Sequence, residues 1–422
     1  MRLRLMALAG LCALIATACG DSGESASTTT AAQVSGSSTT AAVGGTTKTV
    51  VTAPGIKNNK ITVGGVNQES AFGGTADGAK ARFNRFNSEG GIDGLTIDFL
   101  GSRDDGGDND RNASLVKELV EKDGAYAIVP STPTFMTPAT GEYLKSKKIP
   151  YIGYGYAPVM CTNEYAFAFN GCTVPGIQTS TSTGSIAPLV KLTGKTSGVS
   201  IALAGRAESG GQLFTDLFAS VAKHLNVNVV YAQANVPGGG TADMQPFADK
   251  IIAAKPDIVQ LITDFPSALA LKAKLVQNGY KGVLADNAAY VPGLLESSPA
   301  SAAALEGTYV VTTYPTLLES SAYAKQMQKD LDSAGVTKIQ SGTIIGYLQA
   351  DLFVEMLKKA SPDYSKLVQT MNAGVKITPA DGGIPTEWPK FHTEGAACTS
   401  VVKVESKAYK LAAPYACYEA FK

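Results

Sequence analysis

The stretch from Lys60 to Asp110 constrains this chain more than any other, because strand and helix signals alternate there at the spacing of a parallel pair. Ile61-Thr-Val-Gly-Gly65 reads as a short strand ending in glycines, and Val66 to Gly74 as an exposed loop. A helix follows with Ala79, Phe83 and Phe86 on one face, and it stops at Gly90-Gly91. The strand Leu95-Thr-Ile-Asp-Phe-Leu100 then runs into Asp104-Asp105-Gly-Gly-Asp108. Strand, helix and strand at this spacing predict a βαβ unit with parallel strands. Ligands of open parallel sheets sit beyond the carboxyl ends of the strands, which here are the loop Gln68 to Gly74 and the turn Arg103 to Asp108.

The same rhythm continues and then restarts. A helix with Ala113, Val116, Leu119 and Val120 on one face is capped by Asp108 or Asp110, and the strand Ala125 to Val129 opens into Pro130-Ser-Thr-Pro-Thr134. A helix from Met136 to Lys145, the strand Ile149 to Gly153, the loop Tyr154 to Pro158 and an excursion from Cys161 to Cys172 complete a first doubly wound layer. A second series begins with the strand Gly198 to Ala204, the loop Gly205 to Gly211 and a helix Gln212 to Leu225 carrying Leu213, Leu217, Val221 and Ala222. Strands Val227–Tyr231, Asp257–Ile262 and Gly282–Ala285 alternate with helices, ending at Thr263-Asp264-Phe265-Pro266 and at Asp286-Asn287. The repetition implies two similar lobes. Beyond Gly307, a strand Thr308–Tyr314 that also connects the lobes is expected, then helices Ala322–Ala334 and Ile344–Ala360, a short helix within Asp363–Ala373, and strands within Thr386–Tyr418.

The amino terminus stands apart. Arg2 and Arg4 precede an apolar run from Met6 to Ile15 that is too short to span a bilayer, and small residues lead to Cys19. This resembles a lipoprotein signal peptide (1–19), with Cys19 the lipidated residue. Residues 20–55, mostly Ser, Thr, Ala and Gly, form a flexible tether with a root-mean-square reach of roughly 30 Å. No later apolar run is long enough for a transmembrane helix. Lys plus Arg and Asp plus Glu both number 36, so no charge excess argues for nucleic acid or an anionic membrane surface. Cys161, Cys172, Cys398 and Cys417 suit the disulfides of an exported protein. Their proximity favours Cys161–Cys172 and Cys398–Cys417, although four cysteines allow three pairings.

Catalytic signatures are lacking. There is no Gly-x-Ser-x-Gly elbow, and a serine triad would have to use His224 or His392, each poorly placed. Gly64 to Gly74 matches neither a dinucleotide fingerprint nor a P-loop. Asp104 to Asn112 lacks the glycine and glutamate of a calcium loop and reads as turn and cap. No metal or cofactor is expected. The candidates are strand-end residues: Gln68, Glu69, Ser70, Phe72, Ser131, Thr132, Thr134, Tyr154, Gly155 and Tyr156 in the first lobe, and Glu208, Ser209, Asp264, Phe265, Asn287 and Tyr290 in the second. Singly, each reads as a solvated loop residue; together they describe a cleft in which hydroxyls and N–H groups fix a polar end and aromatics cover the rest.

Lys60-Ile-Thr-Val-Gly64, Phe86-Asn-Ser-Glu-Gly-Gly-Ile92 and Asp104-Asp105, following a lipidated signal and a Ser/Thr tether, resemble the solute-binding proteins of branched-chain-amino-acid-type ABC transporters. The resemblance covers about Ile56 to Lys422. It implies an α/β fold of the type I periplasmic-binding-protein kind, with two Rossmann-like lobes, 56–183 plus 309–377 and 184–308 plus 378–422, hinged by three crossovers. Ser131, with Thr132 beside it, matches the family's serine that holds a ligand carboxylate. Tyr154-Gly155-Tyr156 stands where the family has a small-residue/Thr loop. The second-lobe aromatics fall at Ser209, after Glu208, and at Asp264-Phe265. The acidic residue that holds an amino group falls near uncharged Asn287, for which Asp264, Asp286 or Glu208 would substitute. Aromatics at 72, 154, 156, 265 and 290 suit a flatter or more apolar ligand.

The expectation is a monomeric, exported, membrane-anchored solute-binding lipoprotein without enzymatic activity. It captures an amino acid or a small aromatic or apolar carboxylate and delivers it to ABC permease membrane subunits. A ligand sensor for a signalling partner on the same fold is the alternative; an exported hydrolase would need a nucleophile–base pair that the sequence does not show.

Overall fold

The computed structural model describes residues 49–287 and 290–422. The expected signal peptide, the lipid acceptor Cys19 and the tether as far as residue 48 lie outside the described residues. The tether was expected to reach residue 55, but packing starts earlier. Val51 makes backbone hydrogen bonds with Pro362 (2.9 Å) and Tyr364 (3.0 Å), and Val50 and Ala53 lie against the first lobe's core.

The first sheet is organised as its opening segment predicts. The strand Lys60–Asn67 pairs in parallel with Thr96–Asp104 on one side and Ala127–Ser131 on the other. Tyr151–Gly153 and Ala166–Ala168 extend it, also in parallel. The strand runs two residues into the expected loop because Val66 and Asn67 are buried. Asp108 caps the helix Asn109–Lys117, its side chain accepting a hydrogen bond from the Arg111 N–H at 2.7 Å.

On this sheet the helix Thr75–Ser88 crosses the long helix Ser341–Ala360. Ala79, Phe83 and Phe86 are buried, as their period requires. The backbones come so close that a Cβ at Gly78 would overlap the Thr343 carbonyl oxygen, and one at Gly346 the Thr75 carbonyl oxygen. Arg82, also buried, donates to Asp351 at 2.5 Å, and Asp351 further accepts from the Tyr323 hydroxyl at 2.8 Å.

The second sheet orders Asn228–Val236, Ser200–Arg206, Ile258–Ile262, Val283–Asp286 and Tyr309–Thr312 in parallel, followed by the antiparallel Cys398–Glu405 and Ala408–Cys417. The last two form a hairpin turning through Ser406 and Lys407, both at positive φ (54° and 62°), the geometry that suits the twist of its arms. Cys398 and Cys417 face each other across it and are bonded, as are Cys161 and Cys172.

Two expected boundaries move. Tyr309–Thr312 belongs to the second sheet, so the chain returns to the first lobe after Thr312 and not at residue 309. The segment after 378 still packs on the first lobe, where Trp388 meets Phe167 (ring centroids 4.9 Å apart), and the second sheet resumes only at Cys398. The chain thus passes between the sheets three times: after Ala166–Ala168, after Tyr309–Thr312, and before Cys398–Glu405. Thr181–Ser182, on the first passage, pairs with Ala420–Phe421 at the chain's end.

Candidate functional site

Because all the parallel strands of both sheets end toward the same gap, their loops meet across a cleft of about 810 Å³. On the first-lobe side it is lined by Gln68, Phe72, Thr134, Tyr154 and Tyr156. The rings form a continuous aromatic wall: Phe72 stacks on Tyr156 (6.0 Å), Tyr156 meets Tyr154 edge-on (5.0 Å), and Tyr154 lies against Phe169 (5.2 Å). The Tyr156 hydroxyl is held by Thr134, and the Tyr154 hydroxyl reaches Thr313 on the second passage between lobes at 3.5 Å. Burial pushes both phenols above their ordinary pKa, so they act as neutral hydrogen-bonding groups.

The second-lobe side holds a charged rim. Arg206, at the end of its strand, lies 3.5 Å from Glu208 and 3.7 Å from Asp264, and it is the one cationic side chain among the described residues that line the cleft. Asp264 caps the helix Phe265–Gln277. Burial opposes its ionisation, but hydrogen bonds from Ser267 and Gly239, with Arg206 nearby, outweigh it and hold the carboxyl below its usual range. Glu208 is exposed and accepts no comparable set of bonds, so it is the freer acid of the pair. Asp286 and Asn287 also line the cleft, the Asn287 side-chain oxygen accepting from Gln260 at 3.1 Å.

Half of the expected site residues are elsewhere. Ser131 is fully buried within its strand and its N–H donates to Gln349 of the long helix at 2.6 Å, so it faces the interior and not the cleft. Thr132 is buried too, accepting from the Gln68 N–H at 3.2 Å. Glu69 staples its own loop through Asn67 (2.9 Å) and the Gly74 N–H (3.1 Å). Ser70 and Ser209 are exposed outside the cleft. Tyr290 is buried in the hydrophobic core, against Tyr409 at 5.1 Å, and the half-buried Phe265 packs against that core. Gly155 does not line the cleft either. It lets the first passage between lobes come close, its N–H donating to Asn170 and its carbonyl accepting from the Thr173 N–H, each at 2.8 Å.

The sequence reading missed Arg206, although it lies in the strand-end loop from which Glu208 was chosen, and it missed the helix face Phe214, Leu217 and Phe218. Of the residues expected to mark that helix, Ser209–His224, Val221 and Ala222 are buried, but Leu213 is 50% exposed. The i, i+4 pair Phe214 and Phe218, in phase with Val221 and Ala222, was the signal available. Thr312, Thr313 and Tyr314, where the chain leaves the second sheet, were expected in a strand connecting the lobes and not among the cleft residues. Among the described residues no group of acidic, His or Cys side chains could hold a metal ion, and no helix is long and apolar enough to cross a membrane.

Comparison with known proteins adds three findings. A family model described as periplasmic binding protein matches residues 61–409. No match was found among curated proteins. Among solved structures, the chain is similar to a fatty acid ABC transporter substrate-binding protein from Thermomonospora curvata, with 19% identity, a TM-score of 0.69, and coverage of 88% of this chain and 95% of that one. An R. palustris ABC transporter solute-binding protein in complex with 4-hydroxybenzoate is 19% identical, with a TM-score of 0.64 and coverage of 86% and 97%. A branched-chain amino acid ABC transporter protein from Thermus thermophilus with bound valine is 15% identical, with a TM-score of 0.64 and coverage of 85% and 96%.

Proposed function

The chain belongs to the periplasmic binding protein family, and from that premise we propose that it is an exported, lipid-anchored receptor that captures a small solute between its lobes and delivers it to the membrane subunits of an ABC permease. The observation that carries this reading is the cleft itself: about 810 Å³, set between two sheets that are joined by three chain passages and can move about them as a hinge. Capture then needs no covalent step. A ligand that touches both walls binds the closed arrangement more tightly than the open one and shifts the equilibrium toward it.

The walls favour a solute with an apolar or aromatic body. Phe72, Tyr154 and Tyr156 oppose Phe214, Leu217 and Phe218, while Arg206 offers a guanidinium to a carboxylate and Glu208 offers a carboxylate to an amine. An amino acid or a small aromatic or apolar carboxylate fits this division. Of the similar structures named above, one is the binding protein of a fatty acid transporter and two hold 4-hydroxybenzoate and valine, each a carboxylate on an apolar body. Anchoring at Cys19 accords with a receptor that must stay near its permease.

A thermal-shift screen of amino acids, aromatic carboxylates and aliphatic acids tests the reading. A solute that binds only the folded chain raises the melting temperature as it saturates the site. At least one of these classes is expected to do so, and a flat response to all of them would contradict the proposal.

A further inference from the structure

The cleft is larger than a single ring or a valine side chain requires, and its two ends differ in chemistry. At about 810 Å³ it falls in the range that encloses ligands of drug size. One end is the charged rim at Arg206, Glu208 and Asp264. The other lies against the hinge, where the helix Ser209–His224 presents Phe214 and Leu217, both only half-buried, beside the buried Phe218.

The hinge segments opposite this helix are rich in Ser and Thr, and several of their hydroxyls already have protein partners. Ser182 donates to the Ala397 carbonyl (3.1 Å), Thr399 to the Gly184 carbonyl (3.0 Å), and Thr312 to the Tyr314 carbonyl (2.7 Å). Thr181 accepts from Gln178 at 2.7 Å. A polar ligand group placed there would have to compete with these bonds for its partners. Methylene groups would cover Phe214 and Leu217 at no such cost.

Resting on the solute-binding reading of this same cleft, we infer that the ligand is elongated and amphipathic. Its polar head lies at the Arg206 rim and its apolar body extends into the hinge-side compartment, so that Phe214 and Leu217 determine which chain lengths bind. Small ligands would leave that compartment wet; longer ones displace its water.

The test is calorimetric titration of the exported full chain, carrying Cys19→Ser so that no lipid is attached, with straight-chain carboxylates of increasing length and with valine and 4-hydroxybenzoate. Affinity is expected to rise about fourfold per added methylene until the compartment is full. Phe214→Ser and Leu217→Ser, checked for folding by circular dichroism, should flatten that rise. Valine or 4-hydroxybenzoate binding with no gain from longer chains overturns this inference and leaves the receptor reading standing. A rise with length that both variants preserve overturns the assigned compartment. No binding by any member overturns both readings.

Discussion

Replacing Gly155 with alanine should loosen the first lobe and its hinge together. Gly155 lies between Tyr154 and Tyr156, and an added Cβ would sit from the Gly171 carbonyl oxygen at less than half of the 3.4 Å at which ordinary contact begins. The obstacle is backbone, so the two segments must part by more than an ångström. Overpacking of this kind costs about 1–3 kcal/mol. Parting the segments also weakens the bonds from Gly155 to Asn170 and from Thr173 to Gly155, each 2.8 Å and worth about 1 kcal/mol. The expected loss is about 4 kcal/mol. Trp388, the chain's single tryptophan, is buried against Phe167 in the first lobe, so its fluorescence during urea unfolding reads the change directly. Gly210→Ala is the control: nothing lies within 4 Å of its added Cβ, and within the helix Ser209–His224 alanine should be neutral or stabilising by up to ~1 kcal/mol. A Gly155→Ala loss below about 1 kcal/mol would refute the close-approach argument.

Other perturbations have outcomes of stated sign. Asp351→Ala leaves the buried Arg82 guanidinium without its partner and should cost about 3–5 kcal/mol in urea unfolding; a near-neutral result would mean that the ion pair is not formed. His392, packed beside Trp388 at 4.9 Å, is pushed down to about 4 by burial from an ordinary 6.5, against a smaller opposing pull from Glu164. The unfolded chain therefore takes up its proton first, so this stability is full above pH 6.5 and is lost as pH falls toward about 4, by ~3 kcal/mol. His392→Gln should remove that part of the pH slope, and an unchanged slope would count against it. Breaking Cys398–Cys417 with paired serines, across a separation of 19 residues, should lower stability by about 3 kcal/mol, read as a lower urea midpoint. An unchanged midpoint would show that the hairpin alone holds the chain's end.

The sequence announced the architecture more clearly than the site. The βαβ rhythm of Lys60 to Asp110 survives nearly residue for residue because strand and helix periods are local. What depends on assembly was hidden. Thr308–Tyr314 is legible as a strand that connects the lobes, but nothing in its residues says that Val283–Asp286 and Cys398–Glu405 flank Tyr309–Thr312. Nothing in the sequence marks Arg82 as buried, because Asp351 comes to it from far along the chain. At the cleft, strand-end position identified Gln68, Phe72, Tyr154, Tyr156, Glu208, Asp264 and Asn287 among its lining. The same rule misplaced Ser131 and Thr132, which sit at a strand end but under the long helix or behind the loop of Gln68. It also passed over Phe214 and Leu217, which line the cleft from within a helix.

The central claim is that the two lobes close on a solute, and small-angle X-ray scattering with and without the first ligand found by thermal shift tests it most directly. Closure about the three passages predicts a smaller radius of gyration that tracks saturation and is lost when the ligand is removed. A ligand that saturates the protein while leaving the scattering curve unchanged would contradict the account.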